Sequence, residues 1–197
     1  DKLNIALRSF PEHIEYITWI GDDDLLAPQS LVNLERQFRN NPDLALIYGA
    51  CDYIDADGNK IARNTSGPWA LRLSKIGPFL APQPGSLFTR RIFEDIGGLD
   101  PTLQLAFDFE LFLAISKIGK TRYTKDTLAS FRWHQGSLSV GQRRISVKEA
   151  TLVRKKHASP LLRPLITVAS PVVELATYAA GTFLNWRLRV VQKTVKT

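Results

Sequence analysis

Strand-type apolar runs alternate with helix-periodic ones through the first 134 residues. That alternation restricts the chain to a layered α/β architecture. EYITWI (15–20) is rich in β-branched and aromatic residues and too short for a typical helix, so it reads as a buried strand. Pro28 stands where a helix can open, because its missing N–H costs nothing in a first turn. SLVNLERQFRNNP then places Leu31, Leu34 and Phe38 on one face and stops at Asn40-Asn41-Pro42. LALIYGACDYID (44–55) is a second strand, Asp57-Gly58 a hairpin turn, and NKIAR the return strand. Residues 64–82, punctuated by Gly and Pro, read as a long irregular loop of the kind that is often functional. SLFT (86–89) is a short strand, and RRIFEDIGG a short helix stopped by Gly97-Gly98. LQLAFDFELFLAISKIG (103–119) is apolar nearly all round, which predicts a buried helix, and TRYTKDTLASFRWH (121–134) alternates as a strand. There is no internal repeat.

Charge separates the chain into two parts. Residues 1–140 hold 15 Lys+Arg against 17 Asp+Glu, a net −2, whereas residues 141–197 hold 11 against 2, a net +9. The expected organisation is therefore a near-neutral domain over 1–140 and a basic helical tail over 141–197. Residues 160–184 are apolar but broken by Arg163, Pro164, Pro171 and Glu174, a poor pattern for a membrane span and a better one for an interfacial helix. With NWRLRVVQKTVK behind it, the tail predicts an anionic membrane surface as a partner; the plain alternative is a solvated basic helix. A nucleic-acid partner is disfavoured by the near-neutral body and the lack of an RNA- or DNA-binding motif. The single cysteine, Cys51, excludes an intrachain disulfide and fits a reducing compartment. Residues 1–20 do not have the pattern of a secretory leader. The expected location is cytoplasmic, peripheral at the inner face of the membrane. There is no Met, so the chain is expected to be part of a longer polypeptide.

Three consecutive acids, Asp22-Asp23-Asp24, follow the first strand. They repel one another, and such a run at a strand end serves either to bind a cation or to cap the next helix. A hard divalent cation is often held by one or two carboxylates together with substrate phosphates. Capping accounts for one acid and does not need three. Asp55-Ala-Asp57-Gly58 imitates part of a calcium loop, but Tyr53 and Asn64 stand at its first and twelfth positions, so it reads as a hairpin. Phosphate-binding Gly-rich loops, Cys/His zinc spacing and a nucleophile elbow are all missing.

WIGDDDLLAP resembles the acidic DxD-type segment of family 2 glycosyltransferases. LALIYGACDYIDADGNKI is similar to the strand and hairpin that follow it there. QPGSLFTRRIFEDIGGLDPTLQLAFDFELFLAIS resembles the acceptor-side block, and FRWHQGSLS the closing strand. The four blocks occur in the family's order over roughly residues 1–140. No QxxRW motif of processive polysaccharide synthases occurs.

The resemblance implies a partial GT-A (Rossmann-like) mixed sheet flanked by helices, plus a C-terminal helical basic extension, with the base-binding strands lying before Asp1. It implies an inverting glycosyltransferase of the hexosyltransferase type. Such an enzyme would move a sugar from a nucleotide-diphosphate sugar to a saccharide or lipid-linked acceptor, assisted by Mn²⁺ or Mg²⁺, in cell-surface polysaccharide biosynthesis. Asp23 matches the metal-coordinating position, with Asp22 and Asp24 flanking it as donor-site acids; a strict DxD would put its first acid at Gly21. Asp108 in AFDFELF matches the catalytic base, where the family often has Glu-Asp and this chain has Phe107-Asp108. His134 matches a position that contacts diphosphate or metal in some members. The chemistry asks for these parts. A metal neutralises charge developing on the diphosphate, and a carboxylate takes the proton of a weakly nucleophilic hydroxyl. Simpler alternatives are a helix-dipole acid at Asp108 and a locally hydrogen-bonded strand histidine at His134. At the level of the whole chain, the rival is a metal- or glycan-binding module without turnover.

Overall fold

The structure is a computed structural model that describes residues 2–134 and 141–195. Six strands form one mixed sheet: β1 (Tyr16–Ile17), β2 (Leu25–Leu26), β3 (Leu44–Ile54), β4 (Lys60–Asn64), β5 (Leu87–Thr89) and β6 (Lys120–Arg132). Their order is β1-β5-β3-β6-β2, with β4 hairpinned onto β3. β3 and β6 run parallel, and every other pairing is antiparallel. The long apolar run makes β3 the central strand, because only a strand covered on both faces tolerates unbroken hydrophobicity. On one side lie helices α1 (Lys2–Arg8), α3 (Ala70–Ser74), α4 (Arg90–Asp95) and α5 (Phe107–Ile118), contributing Leu7, Leu71, Phe93 and Phe112 to the main core with Leu46, Tyr48 and Phe88. A second cluster sets Leu34 and Phe38 of α2 (Ser30–Arg39) against Leu44, Ile47, Leu87 and Leu128. The result is a mixed sheet flanked by helices, compatible with a Rossmann-like domain.

Several local expectations are corrected. Pro28 does not open α2. The helix starts at Ser30 after Gln29, which adopts a left-handed conformation (φ 63°), and its buried row is Ser30, Leu34 and Phe38 while Leu31 is exposed. The run 15–20 contributes only two strand residues, because its neighbour β5 is itself only three residues long. The buried helix starts at Phe107 rather than near 103, since the backbone N–H groups of Gln104, Leu105 and Ala106 bond outside the helix. The irregular 64–82 segment contains α3. Asp55 confirms the hairpin: its Oδ1 accepts from the backbone N–H groups of Asp57 and Asn59. Cys51 is a buried thiol inside β3, pushed up to about 12 by burial, and so unreactive.

Beyond residue 140, α6 (Arg143–His157) and α7 (Arg163–Val195) pack onto the sheet domain. Val153 of α6 joins Ala106, Phe109 and Leu113 in a third apolar cluster. Several of the tail's cations are engaged internally. Arg154 is buried and donates to the Gly77 carbonyl, and Lys156 bridges Asp100 and Glu110 at 2.8 Å each.

Candidate active site

The acidic loop is built where β1 ends and β2 begins. Trp19 anchors its start, edge-on to Phe88 at 5.8 Å, with its carbonyl accepting from Gln83 Nε2 at 2.8 Å. The loop's far side is fixed by Arg132, the last residue of β6. Its backbone N–H donates to Asp24 Oδ1, its Nε to the Asp23 carbonyl and its Nη1 to the carbonyls of Asp55 and Ala56, all at 2.8 Å. One arginine thus ties the acids to the β3–β4 hairpin. Gly21 has a steric role here. A Cβ at that position would stand 2.9 Å from Asp24 Oδ2 and 3.1 Å from Asp23 Oδ1, so a side chain there would displace both carboxylates.

The three acids have different surroundings. Asp22 is exposed and makes no hydrogen bond among the described residues. The Asp23 carboxylate meets His134 Nε2 at 2.7 Å. Asp24 is half-buried, and burial raises its carboxyl, against the lowering by the Arg132 amide. None caps α2, which starts six residues beyond Asp24 and has no acid in its first turn.

Asp108 comes from the first turn of α5. Phe109 and Leu113 pin that helix into the core, and the Phe109 N–H donates to Asp108 Oδ1 at 2.7 Å. The carboxyl reaches the cleft surface, yet protein atoms crowd it closely enough that burial pushes it up to about 6. Glu110, two residues on, lies elsewhere: it is buried and bonded to Lys156 Nζ at 2.8 Å and His157 Nε2 at 3.1 Å.

All five expected site residues, Asp22, Asp23, Asp24, Asp108 and His134, line one cleft of about 580 Å³, together with Trp19, Gln83, Phe107 and Phe131. A second cleft of about 630 Å³, lined by Glu12, Arg39, Arg90 and Glu94, shares no residue with it and holds no comparable constellation. Of the closing-strand block FRWHQGSLS, residues 135–139 lie outside the described residues. Among the described residues no group of three His, Cys, Asp or Glu side chains is arranged to hold a metal by itself. The donor set that is present, a carboxylate with an imidazole beside it, fits an Mn²⁺ or Mg²⁺ ion that takes its remaining oxygens from a diphosphate and water.

Reasoning from sequence missed Arg132, Gln83 and Glu149. Arg132 has a local signal, since it sits two residues before His134 where an alternating strand runs into the site. Glu149 has none. Its carboxylate accepts from the N–H groups of Gln104, Leu105 and Ala106 at 2.8–2.9 Å, more than forty positions away.

No family model matches the chain. It is similar, at 26% identity over 108 residues, to a chondroitin synthase of Pasteurella multocida (strain Pm70) and to a hyaluronan synthase of Pasteurella multocida; that match covers 55% of this chain and 11% of each relative. It is 25% identical over 138 residues to an uncharacterized glycosyltransferase of Rickettsia felis, covering 64% of the chain and 22% of the relative. The matched segment thus spans about a tenth to a fifth of these relatives' length. The chain's distant relatives are glycosyltransferases, and they support glycosyl transfer in general as its chemistry.

Proposed function

We propose that the cleft belongs to an inverting GT-A glycosyltransferase of the family 2 type, acting on a nucleotide-diphosphate sugar and a saccharide or lipid-linked acceptor. The observation that carries this reading is the convergence of Asp108 and His134 on one cleft with Asp23, which lies more than eighty residues before either. Asp108 takes the proton of the acceptor hydroxyl as that oxygen attacks the anomeric carbon. Held near 6, it is a stronger base than an ordinary carboxylate and is still ionised at neutral pH. Asp23 and His134 would hold the divalent ion, and Asp22 and Asp24 would line the donor side. When bound, the ion neutralises charge building on the departing diphosphate. Arg132 positions this side by fixing the acidic loop's backbone. A single base opposite a single leaving-group site fits one displacement, hence inversion.

The test, on a protein that carries the region preceding Asp1, is isothermal titration of UDP and GDP with and without Mn²⁺, paired with transfer assays from a panel of UDP- and GDP-sugars. Mn²⁺-dependent nucleotide binding that vanishes in a folded Asp23→Asn protein, with transfer lost in Asp108→Asn, is the expected result. Transfer unaffected by both substitutions overturns the reading. Nucleotide-independent binding of a glycan, without turnover, favours a binding module.

A further inference from the structure

α7 is apolar in an uneven way. Leu165, Val168, Val172, Leu175, Phe183 and Trp186 are each between 55 and 78% exposed. At ~100° per residue they fall within an arc of about 80°. The opposite side of the helix is fastened to the domain along its length. Ile166 and Ser170 are buried, Glu174 accepts from Thr151 Oγ1, Asn185 accepts from Trp133 Nε1 at 2.8 Å, and Arg187 Nε donates to the Ile61 carbonyl. A Cβ at Gly181 would collide with the Arg143 guanidinium, so the helix lies close to its support there. The exposed stripe is therefore a continuous outward ridge on a braced helix.

By length and composition the segment Arg163–Val191 qualifies as a membrane span, with a mean hydropathy of 1.2. Only 17% of its most apolar window is buried, but Ile166, Ser170, Glu174 and Asn185 share one side that meets protein, so that side is not available to lipid. Arg189, exposed, projects about 40° beyond one edge of the stripe, while Arg187, as far beyond the other edge, is bonded to the Ile61 carbonyl. The helix's one acid, Glu174, is turned inward to Thr151. A second copy of the chain would thus meet Arg189 with no acid on its own stripe. An anionic lipid surface supplies the complementary charge, and it accommodates a Phe183–Trp186 aromatic pair at its interface.

We propose that the outer face of α7 docks the protein flat onto an anionic membrane surface, with the six-residue stripe entering the headgroup–acyl boundary and Arg189 contacting headgroups. The proposal is independent of the catalytic reading.

The probe is vesicle co-sedimentation with phosphatidylcholine alone and with phosphatidylcholine carrying about one-third phosphatidylglycerol, alongside light scattering for oligomeric state. The native protein is expected to bind the anionic vesicles at least tenfold better, and to lose most of that binding between about 0.1 and 0.5 M salt. High-pH carbonate should release it. Val168→Glu with Val172→Glu, both at exposed positions, should reduce binding at least tenfold with an unchanged circular dichroism spectrum. Arg189→Glu should reduce it several-fold and flatten the salt dependence. Equal binding to neutral vesicles, resistance to carbonate, or a dimer that the double Glu variant converts to monomer without any vesicle binding would each overturn the proposal.

Discussion

Asp108 and Glu110 are two residues apart on one helix, yet their surroundings shift them in opposite directions. Burial raises Asp108 to about 6 with no cation beside it to offset the shift. Burial would also raise Glu110, but hydrogen bonds from His157 and Lys156 outweigh it and hold its carboxyl below the usual range. Carboxylates set apart in this way suit different tasks, and the proposed function gives Asp108 the base's part and Glu110 that of a structural anion. For Asp108 the folded-state value lies above the unfolded one. Its ionisation therefore destabilises the fold, with no effect below about 3.8 and the full effect above about 6. At roughly 1.4 kcal/mol per pH unit, Asp108→Asn should stabilise the protein at pH 7 by up to about 2–3 kcal/mol while lowering transfer by about 10²–10⁴-fold. Denaturant melts at pH 4 and pH 7 check the first part, since the gain should shrink at the lower pH. On the proposed function, kcat/KM of the unsubstituted protein should fall about tenfold per unit below pH 6, as expected for one essential base. Glu110 behaves in the reverse sense: its contribution is present above the unfolded value and is lost as pH falls through the lowered folded one. Glu110→Gln should leave the base in place but weaken the fold by about 2–3 kcal/mol at pH 7, because Lys156 and His157 lose a buried partner. A drop in Tm with a near-normal turnover number would show it; a collapse of turnover at unchanged Tm would move the base from Asp108 to Glu110.

Helix α5 carries Asp108, the proposed base, and a carboxylate from α6 secures the chain that leads into it. Glu149 accepts from three successive backbone N–H groups, those of Gln104, Leu105 and Ala106, just before the helix begins. The cap residue Ala106 has no side-chain acceptor, and this distant carboxylate instead fixes the backbone leading into the helix, up to and including the cap residue's own N–H. It also places negative charge at the positive end of α5. Glu149→Gln keeps one acceptor oxygen, whereas Glu149→Ala keeps none. We expect losses of about 1 and about 2–3 kcal/mol respectively, read from urea midpoints. Hydrogen exchange should quicken first at residues 104–108, and Asp108-dependent turnover should fall with it. Unchanged exchange at those amides would show that α5 is held by its apolar face alone.

Considered as a whole molecule, the basic extension and the sheet domain share a core. Val147, Val153 and Ile166 are buried after residue 140, and fully burying such side chains is worth roughly 1.5–3 kcal/mol each. Together with the Glu149 bonds this approaches the ~5–15 kcal/mol by which a domain is stable at all. A chain ending at His134 should therefore melt far lower, or without a cooperative transition, in scanning calorimetry; a native-like melt would show that α6 and α7 only decorate the domain. Much of the fold was legible in advance. The unbroken run 44–51 fixed the central strand, Asp57-Gly58 the hairpin, and Gly97-Gly98 the end of α4, because each is a local preference expressed within a few residues. Of the residues that line the candidate cleft, the acidic run 22–24 stands out by its chemistry at a strand end, whereas Asp108 and His134 are picked out only through the family resemblance. What only the tertiary structure decided was the company those residues keep. Arg132 reaches back across more than a hundred positions to the acidic loop, His134 meets Asp23, Lys156 and His157 neutralise Glu110, and one face of α7 is covered while the other is left bare. These contacts depend on which surfaces are brought within a few ångströms once the sheet has curled and the helices have docked. Hydrogen bonding and burial act over that distance in space, and distance along the chain does not encode it.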